Sequence, residues 1–145
     1  MITVLMGAPA AGKSTWLKAN AIGDEHIYNT EAIRIHRDID RDSFMRTIRR
    51  NAYMAVKDGK SVIADGTHTI GQHRSYWLKV AKEFDVKTKL VMFDTPLNVL
   101  LIGNAKRLHP APVTVVRDHY IRFNRSKQLV TQEAWDQIEI VKREK

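Results

Sequence analysis

Ile2-Thr3-Val4-Leu5-Met6 runs directly into Gly7-Ala8-Pro9-Ala10-Ala11-Gly12-Lys13-Ser14-Thr15, an apolar stretch followed by the full phosphate-loop pattern G-x-x-x-x-G-K-[ST]. A triphosphate is held by backbone N–H groups of small residues. The start of the next helix adds its own unpaired N–H groups and positive dipole end. On this reading Gly7, Ala8, Pro9, Ala10, Ala11 and Gly12 wrap the phosphates of ATP, with Thr15 beside them at the helix start. Lys13 reaches the β- and γ-phosphates, and the Ser14 hydroxyl ligates Mg²⁺. Apolar Trp16 and Leu17, followed by Lys18, open an amphipathic helix. The dinucleotide pattern G-x-G-x-x-G fails, because Pro9 stands where pyrophosphate needs bare backbone.

The size of the chain, 145 residues, predicts one domain over 1–145 with a single hydrophobic core. A content of 43% hydrophobic and 28% charged residues is that of a globular protein. No apolar stretch approaches the ~20 residues of a membrane span, so no membrane association is expected. Met1 leads straight into a predicted strand, so no signal peptide is read and a cytoplasmic location is expected. Cysteine is absent, which excludes disulfides and thiolate metal sites. Lys and Arg outnumber Asp and Glu by 24 to 16, for a net charge of +8. That balance attracts polyanions and makes nucleic acid the favoured partner. Charge spent on solubility or on ATP alone is the plainer reading.

Short apolar runs alternate with longer helical patterns, the signature of a parallel sheet with crossover helices. Strands are predicted at 2–6, 26–29, 61–65, 87–93 and 137–141. Helices are predicted at 13–21, 30–37, 42–57, 70–84, 96–106 and 113–126. In the helix over 42–57, Met45, Ile48, Ala52 and Val56 form the expected buried stripe, with Arg46, Arg49, Arg50, Tyr53 and Lys57 facing water. The stretch from Lys106 to Pro112, with two prolines and two cations, reads as a lid.

Open α/β sheets bind ligands beyond the carboxyl ends of their strands. Ser61-Val62-Ile63-Ala64 ends in Asp65-Gly66-Thr67, which puts a carboxylate beside the phosphate loop. Asp65 is a candidate to bind Mg²⁺ through water or to serve the acceptor side of the site, and a capping or turn aspartate before glycine is the alternative. Glu31 and Arg34 lie one helical turn apart after the strand at 26–29. A carboxylate that accepts a hydroxyl proton, next to a guanidinium gripping a phosphate, suits phosphorylation of an alcohol on an anionic acceptor. A surface ion pair is the ordinary alternative. Arg107 sits where a lid swings it over the phosphates, with Lys106 as the second choice. His36-Arg37-Asp38 imitates a protein-kinase catalytic loop, but Ser43 replaces the metal-binding Asn and no Asp-Phe-Gly follows. The six histidines show no metal-ligand spacing and are read as structural or surface residues.

In order along the chain, GAPAAGKSTW (7–16), YNTEAIR (28–34), VIADGT (62–67), FDTP (93–96), NAKR (104–107) and the entry to the last helix at 112–117 resemble the 5′-polynucleotide kinase branch of the P-loop kinases. The resemblance implies an α/β P-loop kinase fold, with a central parallel five-stranded sheet flanked by helices and a helical lid. It implies that Lys13 and Ser14 hold ATP and Mg²⁺, that Glu31 is the general base and Arg34 the acceptor-phosphate ligand. Asp65 and Arg107 take the places of the family's third-strand aspartate and lid arginine. Glu at 31 departs from the family's Asp and extends the carboxylate by about an ångström. A phosphatase domain, present in the best-known members, is not expected. The function so implied is ATP- and Mg²⁺-dependent phosphorylation of a hydroxyl of a nucleic acid, the 5′-OH end of DNA or RNA. A kinase of a nucleoside, of another small molecule or of a modified base in DNA shares the same donor site. A nucleotide-dependent switch without phosphoryl transfer is a third possibility.

Overall fold

A computed structural model describes residues 1–30 and 40–143. Five strands, β1 (Ile2–Met6), β2 (His26–Asn29), β3 (Val62–Asp65), β4 (Thr88–Asp94) and β5 (Gln137–Lys142), form one sheet in the order β2-β3-β1-β4-β5. Every pairing is parallel. The helices are α1 (Lys13–Asn20), α2 (Arg41–Lys57), α3 (Gly71–Glu83), α4 (Leu97–Ala105) and α5 (Val113–Lys127), with a short 3₁₀ turn at Val130–Gln132 before β5. Each strand and helix predicted among these residues is present within about one residue of its expected ends. The helix predicted over 30–37 lies, from residue 31 on, outside the described residues.

β1 is buried along its whole length because it occupies the middle of the sheet. Its side chains alternate between faces. Ile2, Val4 and Met6 join Leu90, Met92, Trp77, Val80 and Ile48 in one core. Leu5 joins Ile63, Val91, Phe93 and Leu100 in the other, against which Trp16 and Leu17 pack as expected. α5 serves both: Val116 enters the second core and Phe123 the first. It therefore spans from one face of the sheet to the other.

The stripe expected on α2 needs correction. Ile48 and Ala52 are buried, but Val56 is 40% exposed, and the stripe is completed by Phe44 and Ala55. Phe44 meets the Tyr76 ring of α3 at 5.7 Å between centroids, and the expected Met45 packs half-buried against the same core. Of the outward cations, Arg49 pairs with Glu83. Among the described residues no helix is long and apolar enough to cross a membrane.

Candidate active site

β1 ends at Met6, and the chain turns through residues 7–12 into α1. Gly12 has φ +105, a left-handed conformation that suits glycine, and Ala10 also has positive φ at 70. Among the described residues no side chain caps α1, whose N-terminus opens onto the loop. The Lys13 ammonium folds back and donates to the carbonyls of Gly7 (2.7 Å) and Ala8 (2.9 Å), which fixes its charge over the hollow of the loop. Two neighbours brace the loop from outside. Gly7 N–H donates to the Thr67 carbonyl at 2.9 Å, and the buried Thr95 hydroxyl donates to the Ala11 carbonyl at 3.1 Å. The Phe93-Asp94-Thr95-Pro96 turn thus acts as a strut for the phosphate loop.

The loop forms one wall of an open cavity of about 670 Å³ at the carboxyl ends of the strands. Pro9, Ala10, Ala11, Gly12, Lys13, Ser14 and Thr15 line it, as do Asp65 and Arg107. Gly7 and Ala8 sit behind, as buried backbone. The structure therefore brings Lys13, Ser14, Asp65 and Arg107 to one space, from three separate parts of the sequence. Glu31 and Arg34 lie outside the described residues.

Asp65 stands beside Asn29, its register partner at the end of β2, and Asn29 also lines the cavity. The loop after Asp65 is held tightly. Buried His68, in a left-handed conformation at φ 46, shares a hydrogen bond between Nδ1 and the Leu5 carbonyl at 2.7 Å. Since a carbonyl only accepts, Nδ1 carries the hydrogen. Burial pulls the His68 pKa from 6.5 down to about 4, against the Leu5 carbonyl, which favours the protonated ring. The ring is therefore neutral near pH 7.

Arg74, 1% exposed, donates to the His68 carbonyl at 3.0 Å and to both Glu133 carboxylate oxygens at 3.1 and 2.8 Å. Burial would raise the Glu133 carboxyl, yet the Arg74 hydrogen bonds and the Trp135 indole hold it below its usual value. This buried fork supports the β3–α3 loop from beneath.

Residues 106–112 connect α4 to α5 with Lys106, Arg107, Leu108, His109 and Pro110 exposed. The Asn104 side chain donates to the Ala111 carbonyl (2.8 Å) and accepts from the Ala111 N–H (3.0 Å), clasping the two ends of the expected lid. Lys106 joins Arg107 on the cavity.

The cavity is also lined by residues that were not expected at the site, among them Asn29, Arg143, His109 and His119. Arg143 follows β5 and its guanidinium lies over Gly12, where a Cβ would come within 3.5 Å of it. Asn29 and Arg143 both sit at carboxyl strand ends, a signal already present in the strand pattern. His119 lines the cavity from α5. Among the described residues no cluster of three or more His, Asp or Glu side chains makes a metal cage.

Residues 2–129 match the family model described as an AAA domain. The chain is 32% identical, over 94% of its length, to the L-seryl-tRNA(Sec) kinase of Methanococcus maripaludis, and spans 56% of that protein. It is 30% identical over 62% of its length to the bifunctional polynucleotide phosphatase/kinase of Schizosaccharomyces pombe, of which it spans 20%. Among solved structures, Chaetomium thermophilum Kti12 in complex with ADP-AlF3 superposes with a TM-score of 0.66 at 15% identity, covering 98% of this chain and 89% of that one. A protein from Chloroflexus aurantiacus gives 0.65 at 13% identity, covering 97% and 84%. The parallel sheet, the phosphate loop and these likenesses together give an α/β P-loop kinase fold, and the chain belongs to the AAA domain family.

Proposed function

We propose that this chain is an ATP- and Mg²⁺-dependent kinase that transfers the γ-phosphoryl group to a hydroxyl of a nucleic acid, at the 5′-OH end of DNA or RNA. The observation that carries the reading is the meeting of Lys13, Ser14, Asp65 and Arg107 on one open cavity. A cation-lined loop with one hydroxyl and one carboxylate fits a magnesium nucleotide, since Mg²⁺ is held by one or two protein groups together with phosphates and water. When bound, Mg²⁺ neutralises charge on the β- and γ-oxygens.

The residues of this chain then divide the work. Glu31 takes the proton of the acceptor hydroxyl, whose oxygen bonds to the γ-phosphorus. The bond from that phosphorus to the bridging oxygen breaks, and ADP leaves. Arg34 holds the phosphate next to the hydroxyl. The roles of Glu31 and Arg34 rest on the resemblance to 5′-polynucleotide kinases. Lys13 and Arg107 stabilise the charge that spreads over the transferring group.

The identity to the archaeal kinase favours a second reading, in which the hydroxyl belongs to an aminoacyl group on RNA. A net charge of +8 suits a polyanionic acceptor in either case. Labelled phosphoryl transfer, measured across 5′-OH oligonucleotides, seryl-tRNA and free nucleosides, separates them. Transfer to oligonucleotide ends that weakens steeply with salt is expected. Salt-insensitive turnover of a free nucleoside, with oligonucleotides inert, would overturn the nucleic-acid reading.

A further inference from the structure

Arg143 follows β5, and its side chain reaches back across the phosphate loop. A Cβ at Gly12 would lie 3.5 Å from its Nη1 and 3.8 Å from its Cδ, so both the charge and the stem of Arg143 rest over that residue. Arg143 also lines the cavity shared by Lys13, Asp65 and Arg107. Its backbone N–H meets the Asp94 carbonyl at 3.3 Å, which carries the β4–β5 ladder one residue past the strand.

No acid of the neighbouring strands neutralises this guanidinium. Asp94 is the acid of β4 and Glu139 that of β5. Lys127 pairs with Asp94 at 2.6 Å, and Lys89 pairs with Glu139 at 3.2 Å. Among the described residues the Arg143 side chain enters no ion pair. A full positive charge thus stands over an anion cradle with its donors open to solvent.

The loop has two sides. Gly7, whose N–H meets the Thr67 carbonyl, is tied to the β3 side, where Asp65 stands. Ala11, whose carbonyl accepts from Thr95, is tied to the β4 side, and Gly12 follows it. In the sheet order β2-β3-β1-β4-β5, Asp65 and Arg143 therefore flank the loop from opposite directions. On the proposed kinase reading, a triphosphate whose γ-phosphorus faces the acceptor beside Asp65 runs back toward Gly12. Its α-phosphate then comes under Arg143. Because the guanidinium touches the loop itself, it lies at the level of the phosphates, with the nucleoside farther out.

We infer that Arg143 is a donor-binding residue, its planar fork of N–H groups pairing with the non-bridging oxygens of the α-phosphate. The inference rests on the proposed kinase reading and adds a residue to it. The α-phosphate belongs to the part of ATP that leaves as ADP, so this contact sets nucleotide affinity and is the same before and after transfer.

Binding of ADP, ATP and inorganic tripolyphosphate, each with Mg²⁺, is measured by calorimetry for wild type, Arg143→Ala, Arg143→Met and Arg143→Lys. Arg143 is exposed, and unfolding temperatures without nucleotide are expected to match wild type. The Kd values of ADP and ATP should rise by the same factor, about tenfold, in Arg143→Ala and Arg143→Met. Tripolyphosphate should weaken with them, and Arg143→Lys should fall between. Unchanged ADP binding in Arg143→Ala would overturn the inference, as would a loss confined to ATP, which would move the contact to the γ-phosphate. Weakened ADP with unchanged tripolyphosphate would move it to the nucleoside, and wild-type affinity in Arg143→Met would reduce Arg143 to a packing stem. Nucleotide binding by the wild type without transfer to any acceptor would remove the kinase reading alone, while the same titrations still decide Arg143.

Discussion

Gly7 and Phe93 lie so close that a methyl group on the glycine would meet the Phe93 Cβ at 2.9 Å. The obstacle is an atom bonded to the β4 backbone, which has no rotamer to escape into. Gly7→Ala is therefore expected to push the phosphate loop off the strand, costing about 1–3 kcal/mol of stability. It is also expected to weaken nucleotide binding more than tenfold. Thermal unfolding and nucleotide titration of the purified variant check both; wild-type affinity would show that the loop yields freely.

A second close approach lies in the loop after Asp65. A Cβ at Gly66 would collide with the Thr30 hydroxyl, immediately before Glu31, and meet the His68 ring at 3.0 Å. Gly66→Ala should destabilise by about 1–3 kcal/mol. Thr30→Ala in the same chain should recover part of that loss. A double-mutant cycle measures the coupling, and strict additivity would deny the contact.

Beneath the same loop, Glu133 is the carboxylate partner of buried Arg74. Glu133→Ala leaves that guanidinium without its counter-charge in the interior, at an expected cost of ~3–5 kcal/mol in denaturant unfolding. Loss of less than about 1 kcal/mol would mean that water reaches Arg74.

His68 gives stability a defined pH dependence. Above pH 6.5 the ring is neutral in both folded and unfolded chains. As pH falls from 6.5 to about 4, the unfolded chain binds a proton that the folded one excludes. Stability therefore declines across that window, by on the order of 3 kcal/mol from this group, and the decline levels off below it. His68→Asn keeps a donor for the Leu5 carbonyl and tolerates the left-handed backbone. Urea unfolding at pH 7 and pH 4.5 should show a smaller acid loss in that variant, and parallel losses would contradict the assignment.

The strand ends and the phosphate loop were legible because they depend on local pattern. Ile2–Met6 must be a central strand if every residue is buried, and residues 7–15 encode their own backbone geometry. Asp65 followed from the rule that strand ends face the ligand, and Arg107 from the proline- and cation-rich stretch read as a lid. The α2 stripe was misplaced because Phe44 and Ala55 are chosen by packing across to α3 and the sheet, which periodicity within one helix does not contain. Arg143 was missed although its place after β5 was open to the same strand-end argument that found Asp65.

The account rests on a phosphate loop that presents the terminal phosphoryl group of ATP to an alcohol in the cavity above the strand ends. Transfer of label from γ-labelled ATP to a 5′-OH oligonucleotide with Mg²⁺, in wild type and in Lys13→Ala, tests this most directly. Labelling by the wild type and its loss by at least 10³-fold in Lys13→Ala are the predicted result. Equal labelling by both proteins, or none by the wild type at excess ATP, would contradict it.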